Sequence, residues 1–90
     1  MTDIDDLLDS RHNTHGEFEI DAQYAQQLKQ IIYNCGNWPL MSAVQREALG
    51  VICSKIARIM AGDPHFKDHW DDIAGYAKLV SIDLQRLSKN

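Results

Sequence analysis

Two aspartates and two histidines in the last third of the chain have the spacing of a metal site. Asp68 and Asp72 are four residues apart, so a helix would present both carboxylates on one face, where they could hold a hard cation such as Mg²⁺. His65, His69 and Asp72 would similarly offer two imidazoles and a carboxylate to a transition metal. The alternative is an exposed histidine pair beside an acidic helix start, which the helix dipole favours.

Two cations on the preceding segment could bind a phosphate. Lys55 and Arg58 are three residues apart, and arginine would contact a phosphate through its planar fork and lysine as a point charge. The same cations could instead pair with Asp68 or Asp72 across an antiparallel helical hairpin. The two hypotheses compete, because a cation neutralised by Asp72 is less available to a ligand. We expect the pairing.

A second set of candidate ligand contacts lies near the beginning of the chain. Arg11, His12 and His15 precede Gly16, a residue that allows close backbone approach to a ligand. The stretch from residue 11 to 18 is polar and has no hydrophobic period, so it is predicted to be a loop. A mobile surface loop without a ligand is the alternative.

Trp38, Leu40 and Met41 form an apolar cluster beside Pro39, in a segment rich in turn-forming residues. Such a cluster could cap the end of a helical bundle or contact a partner protein. A bundle of this size also leaves apolar surface for a second copy, so a homodimer is possible.

The spacing of apolar residues predicts the helices that must position these groups. A short helix is predicted over 4–8, a second over about 22–34, and a third after Ser42, which forms a capping box with Gln45. Gly62 ends the third helix, and a fourth begins at Asp63–Pro64 or slightly later and runs to about Leu87. The prediction is an all-α antiparallel bundle of three main helices and a short N-terminal helix. It forms one domain over 1–90, with leading helix and loop 1–19 and core 20–88.

Composition excludes several classes of protein. The 90 residues carry nine Lys and Arg against thirteen Asp and Glu, a net charge of −4 that argues against direct binding of nucleic acid. No apolar run reaches the length of a membrane span, and the acidic start lacks the basic region of a signal peptide. Cys35 and Cys53 fit no zinc pattern, so we expect reduced thiols in a cytoplasmic protein.

Three segments together resemble a family of short uncharacterised phage and prophage proteins. They are Lys55-Ile-Ala-Arg-Ile-Met, Asp68-His-Trp-Asp-Asp-Ile-Ala-Gly-Tyr-Ala and Thr14-His-Gly-Glu-Phe, and the match spans roughly 11–79. This resemblance implies an accessory protein in the cytoplasm of an infected or lysogenic bacterium. It would act by binding a host protein, as an inhibitor of a defence system, and not by catalysis.

The segment from Asp68 is also similar to the last core helix of MazG-like all-α nucleotide pyrophosphatases. That resemblance implies the alternative function, a nucleotide-binding or pyrophosphohydrolase module in which two pairs of carboxylates hold Mg²⁺. Asp68 or Asp72 could stand for the second pair. The first pair is missing, because the preceding helix has a lone Glu47 and carries Lys55 and Arg58 where carboxylates are expected. Mg²⁺ is expected only if the protein is a module of this kind, and otherwise no cofactor is expected.

Overall fold

The computed structural model describes residues 3–88 and confirms the predicted fold class. In this part of the chain there is no strand, and four α-helices are joined by short connections. They are α1 Asp3–His15, α2 Phe18–Tyr33, α3 Ala43–Ala61 and α4 Lys67–Ser88, with one turn of 3₁₀ helix at Trp38–Leu40 between α2 and α3. None of these helices is long and apolar enough to cross a membrane.

The first helix is longer than predicted, and the predicted loop over 11–18 is wrong. Helix α1 continues to His15, and only Gly16 and Glu17 separate it from α2, which begins at Phe18 and not near residue 22. Hydrogen bonds explain the extension, since the Thr14 hydroxyl donates to the Ser10 carbonyl and the Gly16 N–H donates to the His12 carbonyl. Acidic residues in the first turn also suit the helix dipole.

The third and fourth helices begin at, or slightly after, the residues that predict their starts. Ser42 and Gln45 form the predicted capping box, with each side chain accepting a hydrogen bond from the backbone N–H of the other residue. Helix α4 begins at Lys67, slightly after Asp63–Pro64. In the turn before it, Asp63 Oδ1 accepts from the His65 N–H, and Trp70 Nε1 donates to the Pro64 carbonyl at 2.8 Å.

Helix α3 is the centre of the molecule. It packs against α2 on one side and α4 on the other, while α2 and α4 have no substantial interface with each other. The fully buried apolar residues are small, and in the described chain they are Ala25, Ala48, Cys53 and Ala57. Small side chains let the helices approach closely, but the larger apolar side chains are then left at the edges of an open layer.

The molecule is accordingly elongated. Its radius of gyration is 15.5 Å, against about 12 Å expected for a compact domain of this length. The dimensions are 54 × 25 × 23 Å, whereas the longest helix, α4, has 22 residues and spans about 33 Å. Helix α1, which has no buried residue and only small interfaces with α2 and α3, contributes to this extension.

Two glycines allow the α1–α2 turn to cross the α3–α4 turn at backbone distance. Gly16 has a φ of 81°, and a side chain there would overlap the Ala61 carbonyl. A side chain at Gly62 would overlap the Thr14 carbonyl and the backbone of His15. Both positions therefore require glycine for close approach, and Gly16 requires it also for its backbone conformation.

We expect Gly62→Ala to lower the free energy of unfolding by about 1–3 kcal/mol, because the added methyl group forces two backbone segments apart. Gly16→Ala should cost at least as much, since it adds a left-handed backbone penalty of about 1–2 kcal/mol. Urea unfolding followed by circular dichroism measures both. Gly75→Ala, in the open middle of α4, is the matched control and should gain about 0.5–1 kcal/mol. A Gly62→Ala variant as stable as the unmodified protein would contradict the close crossing.

Candidate functional site

The histidine at position 69 is a structural residue of the crossing and not an open metal ligand. It is only 2% exposed, and its Nε2 lies 2.9 Å from the Thr14 carbonyl oxygen, which also accepts from the Asp63 N–H at 3.1 Å. Because a carbonyl oxygen only accepts, Nε2 must carry the proton. The ring packs edge-on against Phe66 and His15, with centroids 4.9 and 4.8 Å away.

The predicted metal ligands are not brought together. His65 and Asp68 are exposed, His69 is committed to the Thr14 carbonyl, and Asp72 is paired with Lys55. Within residues 3–88 no three His, Cys, Asp or Glu side chains converge where they could hold a metal ion. Mg²⁺ prefers several oxygen ligands in an octahedral arrangement, so these residues do not fit the ion that the pyrophosphatase resemblance implies.

The pairing predicted for Lys55 is confirmed. Its ammonium group lies 2.9 Å from Asp72 Oδ2, with Lys55 mostly buried and Asp72 about half-exposed. The hydrogen bond from Lys55 lowers the pKa of the Asp72 carboxyl below its usual value. Arg58 behaves differently, since in the described chain it forms no ion pair with Asp68 or Asp72. Lys55 and Arg58 are three residues apart on α3, but only Lys55 pairs with an aspartate of α4 in the described chain.

Three of the four predicted phosphate-binding residues line one pocket of about 300 Å³. Arg11 and His15 reach it from α1 and Arg58 reaches it from the end of α3. The other lining residues come from α1, the following turn and the start of α2, and they are Leu8, His12, Gly16, Phe18 and Asp21. Lys55 is not among them. Arg11 and His15 share this wall because they are four residues apart on a helix.

Asp21, Leu8 and Phe18 were not predicted as site residues. Arg11 and His12 lie three and four residues after Leu8, and His15 lies four and three residues after them. This spacing is the signal that could have aligned the four residues on one face of an extended α1. Asp21 lies in the first turn of α2, where an acidic residue is explained by the helix dipole alone. Its place in the pocket depends on tertiary packing and has no local signal.

The pocket is electrostatically positive. The pKa of His15 is lowered to about 4, first by burial and then by the charges of Arg58, His69, Arg11 and Lys55. Burial raises the pKa of Asp21, against the opposing effect of Arg58, His69 and Lys29. His15 is therefore a neutral imidazole at pH 7, held among cations that resist its protonation.

The predicted partner cluster divides into a plug and one exposed residue. Arg46 donates from Nε and Nη2 to the Trp38 carbonyl at 3.2 and 3.0 Å, and its guanidinium lies 5.1 Å from the centre of the Trp38 ring. Tyr33 also packs against the Trp38 ring, with ring centroids 4.9 Å apart. Trp38 and Met41 are partly buried, while Leu40 is 81% exposed. Trp38 therefore caps the bundle end, and Leu40 alone of the three is open to a partner.

No protein-family model, curated protein or solved structure matches the chain. The resemblances to phage proteins and to the pyrophosphatases therefore stay predictions from the sequence.

We expect His69→Ala to lower the free energy of unfolding by about 2–4 kcal/mol, because it removes a buried hydrogen bond and leaves a cavity at the crossing. His65→Ala, at an exposed position four residues earlier, is the matched control and should change stability by no more than about 0.5 kcal/mol. Denaturant unfolding of the two variants compares them directly. Equal losses would contradict the structural role of His69.

We also expect folding stability to fall as the pH drops from about 6.5 through 4. His15 titrates near 6.5 in an unfolded chain and at about 4 in the folded protein, so the unfolded state binds more protons in this interval and acid favours unfolding. This loss of stability is absent above about pH 7 and becomes complete only below about pH 4, where His15 is protonated in both states. Denaturant unfolding at half-unit pH steps measures the free energy of unfolding over this interval. It should fall less with decreasing pH for His15→Gln than for the unmodified protein.

The control for the pH series is His65→Gln, a substitution outside the pocket that should leave the acid-side loss unchanged. An NMR titration that places the pKa of His15 in the folded protein near 6.5 would contradict the electrostatic description of the pocket.

Proposed function

We propose that this protein is a small accessory protein of phage or prophage type that acts by binding a protein of the bacterial host and not by catalysis. The observation that carries the proposal is the apolar edge of α1, defined as Ile4, Leu7 and Leu8. These side chains are 70, 55 and 57% exposed, and α1 has no buried residue at all. Binding a partner through this edge does not require a catalytic site.

The apolar edge has the pattern of a helix that binds in a groove. Ile4, Leu7 and Leu8 have i, i+3, i+4 spacing, which places three large side chains on one face. A helix of 13 residues is marginal by itself in water, and most helical stability in proteins comes from packing an apolar face. Covering this edge with a partner would both bury the three side chains and stabilise α1.

The charges of α1 indicate the chemistry of the partner. Four aspartates share the first two turns with the apolar edge, and they are Asp3, Asp5, Asp6 and Asp9. The helical repeat places Asp3 and Asp5 on the two flanks of the edge. A complementary groove is apolar at its floor and carries Lys or Arg at its rim. Host defence proteins that bind nucleic acid present basic grooves, and an acidic helix competes for such a groove.

The carboxylates of α4 support binding over catalysis. A MazG-like hydrolysis of a nucleotide needs several free carboxylates around Mg²⁺ to stabilise charge on the phosphates and activate water. Asp72 is instead neutralised by Lys55, Asp71 is bound to Lys67 at 2.6 Å, and Asp68 is exposed. The proposed function therefore assigns the acidic residues to recognition, in the cytoplasm of the infected or lysogenic cell.

The test compares protein capture from bacterial lysate by the tagged protein and by matched variants. Ile4→Ser with Leu7→Ser should abolish capture of a specific host protein, and with the purified partner it should weaken binding at least about tenfold, since two apolar anchors are lost. Asp5→Lys with Asp9→Lys should also weaken binding. The loss of affinity should be larger at low salt than at high salt, because salt screens exposed charges.

The control variant is Ile31→Ser with Leu79→Ser, whose side chains are 70 and 58% exposed on α2 and α4. It should capture the same host protein as the unmodified chain. Equal loss in both variants, or capture that survives in the α1 variant, contradicts the assignment of α1. A concentration-dependent dimer that the α1 variant abolishes would show that a second copy occupies the edge. Release of phosphate or pyrophosphate from nucleotides with Mg²⁺, lost in Asp72→Ala, would overturn the non-enzymatic proposal.

A further inference from the structure

The pocket between α1, the start of α2 and the end of α3 concentrates positive charge in an acidic protein. Its lining residues include Arg11 and Arg58 against a single acidic residue, Asp21. The whole chain carries a net charge of −4. The field of the molecule as a whole repels anions, and this pocket is a place where two fixed cations outnumber the one acid.

The two arginines of the pocket have no protein acceptor within the described chain. Neither side chain takes part in a salt bridge or a side-chain hydrogen bond among residues 3–88. Four other cations of the described residues do have acceptors: the Trp38 carbonyl or an aspartate accepts from each of Arg46, Lys55, Lys67 and Arg86. A guanidinium has five N–H donors, so Arg11 and Arg58 offer unfilled donor sets to whatever enters the pocket.

The lowered pKa of His15 is consistent with the same excess of positive charge in the pocket. Its pKa is lowered to about 4, and after burial the largest causes are Arg58, His69 and Arg11. An anion bound between the arginines would offset the repulsion and favour protonation of the imidazole.

We infer that this pocket binds a phosphoryl group, either as free phosphate or on a small phosphomonoester, through the guanidinium groups of Arg11 and Arg58. Planar guanidinium forks match the tetrahedral oxygens of phosphate by paired hydrogen bonds. The volume of about 300 Å³ is more than a bare phosphate fills and lies at the lower end of small-molecule pockets. Leu8 and Phe18 provide an apolar wall against which a carrier group would pack.

The experiment is a titration of the protein with inorganic phosphate and, separately, with ribose 5-phosphate, followed by two-dimensional NMR at constant ionic strength maintained with chloride. We expect saturable shifts of the His15, Arg11 and Arg58 side-chain signals and a rise in the pKa of His15 on saturation. Tighter binding of ribose 5-phosphate identifies a phosphomonoester site, and equal affinities identify a site for the free anion. Either result supports the inference.

The variants separate this site from general ionic effects. Arg58→Gln and the exposed Arg11→Gln should each weaken binding about tenfold or more, the effect of losing one charge-assisted contact. Asp21→Asn should tighten binding by removing the opposing carboxylate. Arg86→Gln, at an exposed position on α4, is the matched control and should bind as the unmodified protein does.

Shifts that grow linearly without saturation, or that are the same in Arg58→Gln and Arg86→Gln, overturn the inference. Circular dichroism checks that each variant is folded, and Arg11→Gln keeps the test valid if Arg58→Gln unfolds. Leu8 belongs to both the apolar edge and the pocket lining, but Ile4→Ser with Leu7→Ser leaves Leu8 and both arginines in place, so the two proposals are tested separately.

Discussion

The carbonyl oxygen of Thr14 is the acceptor on which the arrangement of this molecule depends. It receives the Asp63 N–H and the Nε2 proton of His69, and so joins the end of α1 to the turn before α4 and to α4 itself. Because both donors would otherwise be buried without a partner, breaking the junction would cost their desolvation as well as the bonds. This contact, with the glycine crossing beside it, places α1 over the end of α3.

The position of α1 creates the pocket and also leaves the apolar edge uncovered. The last turn of α1 is held at the crossing, which brings Arg11 and His15 to the same cavity as Arg58 from α3. The first turns extend past the layer formed by α2, α3 and α4, where there is no helix to cover Ile4 and Leu7. One local junction therefore explains both the pocket and the exposed apolar surface on the same 13-residue helix.

The sequence predicts those parts of the structure that local signals control. The capping box at Ser42 and the short connection after Gly62 define α3, α4 and their antiparallel register, and that register makes the Lys55–Asp72 pair predictable. The helical state of residues 11–15 is not predictable from hydrophobic period, since this segment is polar and the Thr14 carbonyl is stabilised by a contact with His69, 55 residues away. The metal-like spacing of His65 and His69 misleads because His65 lies exposed in the turn before α4, whereas His69 lies on α4 and is buried.

The pocket shows why net charge alone is a poor guide to ligands in a chain of this kind. Asp72 neutralises Lys55, so the acidic residues of α4 act on the neighbouring cation of α3 and not on Arg58, one turn further along. The aspartates of α1 lie toward its beginning, away from the histidines in its last turn. Opposite charges are thus separated along one helix: the acidic end lies beside the apolar edge, and the basic end lies in the pocket. An excess of aspartate over the whole chain is therefore compatible with a local site that attracts anions, provided that the neutralising carboxylates are engaged elsewhere.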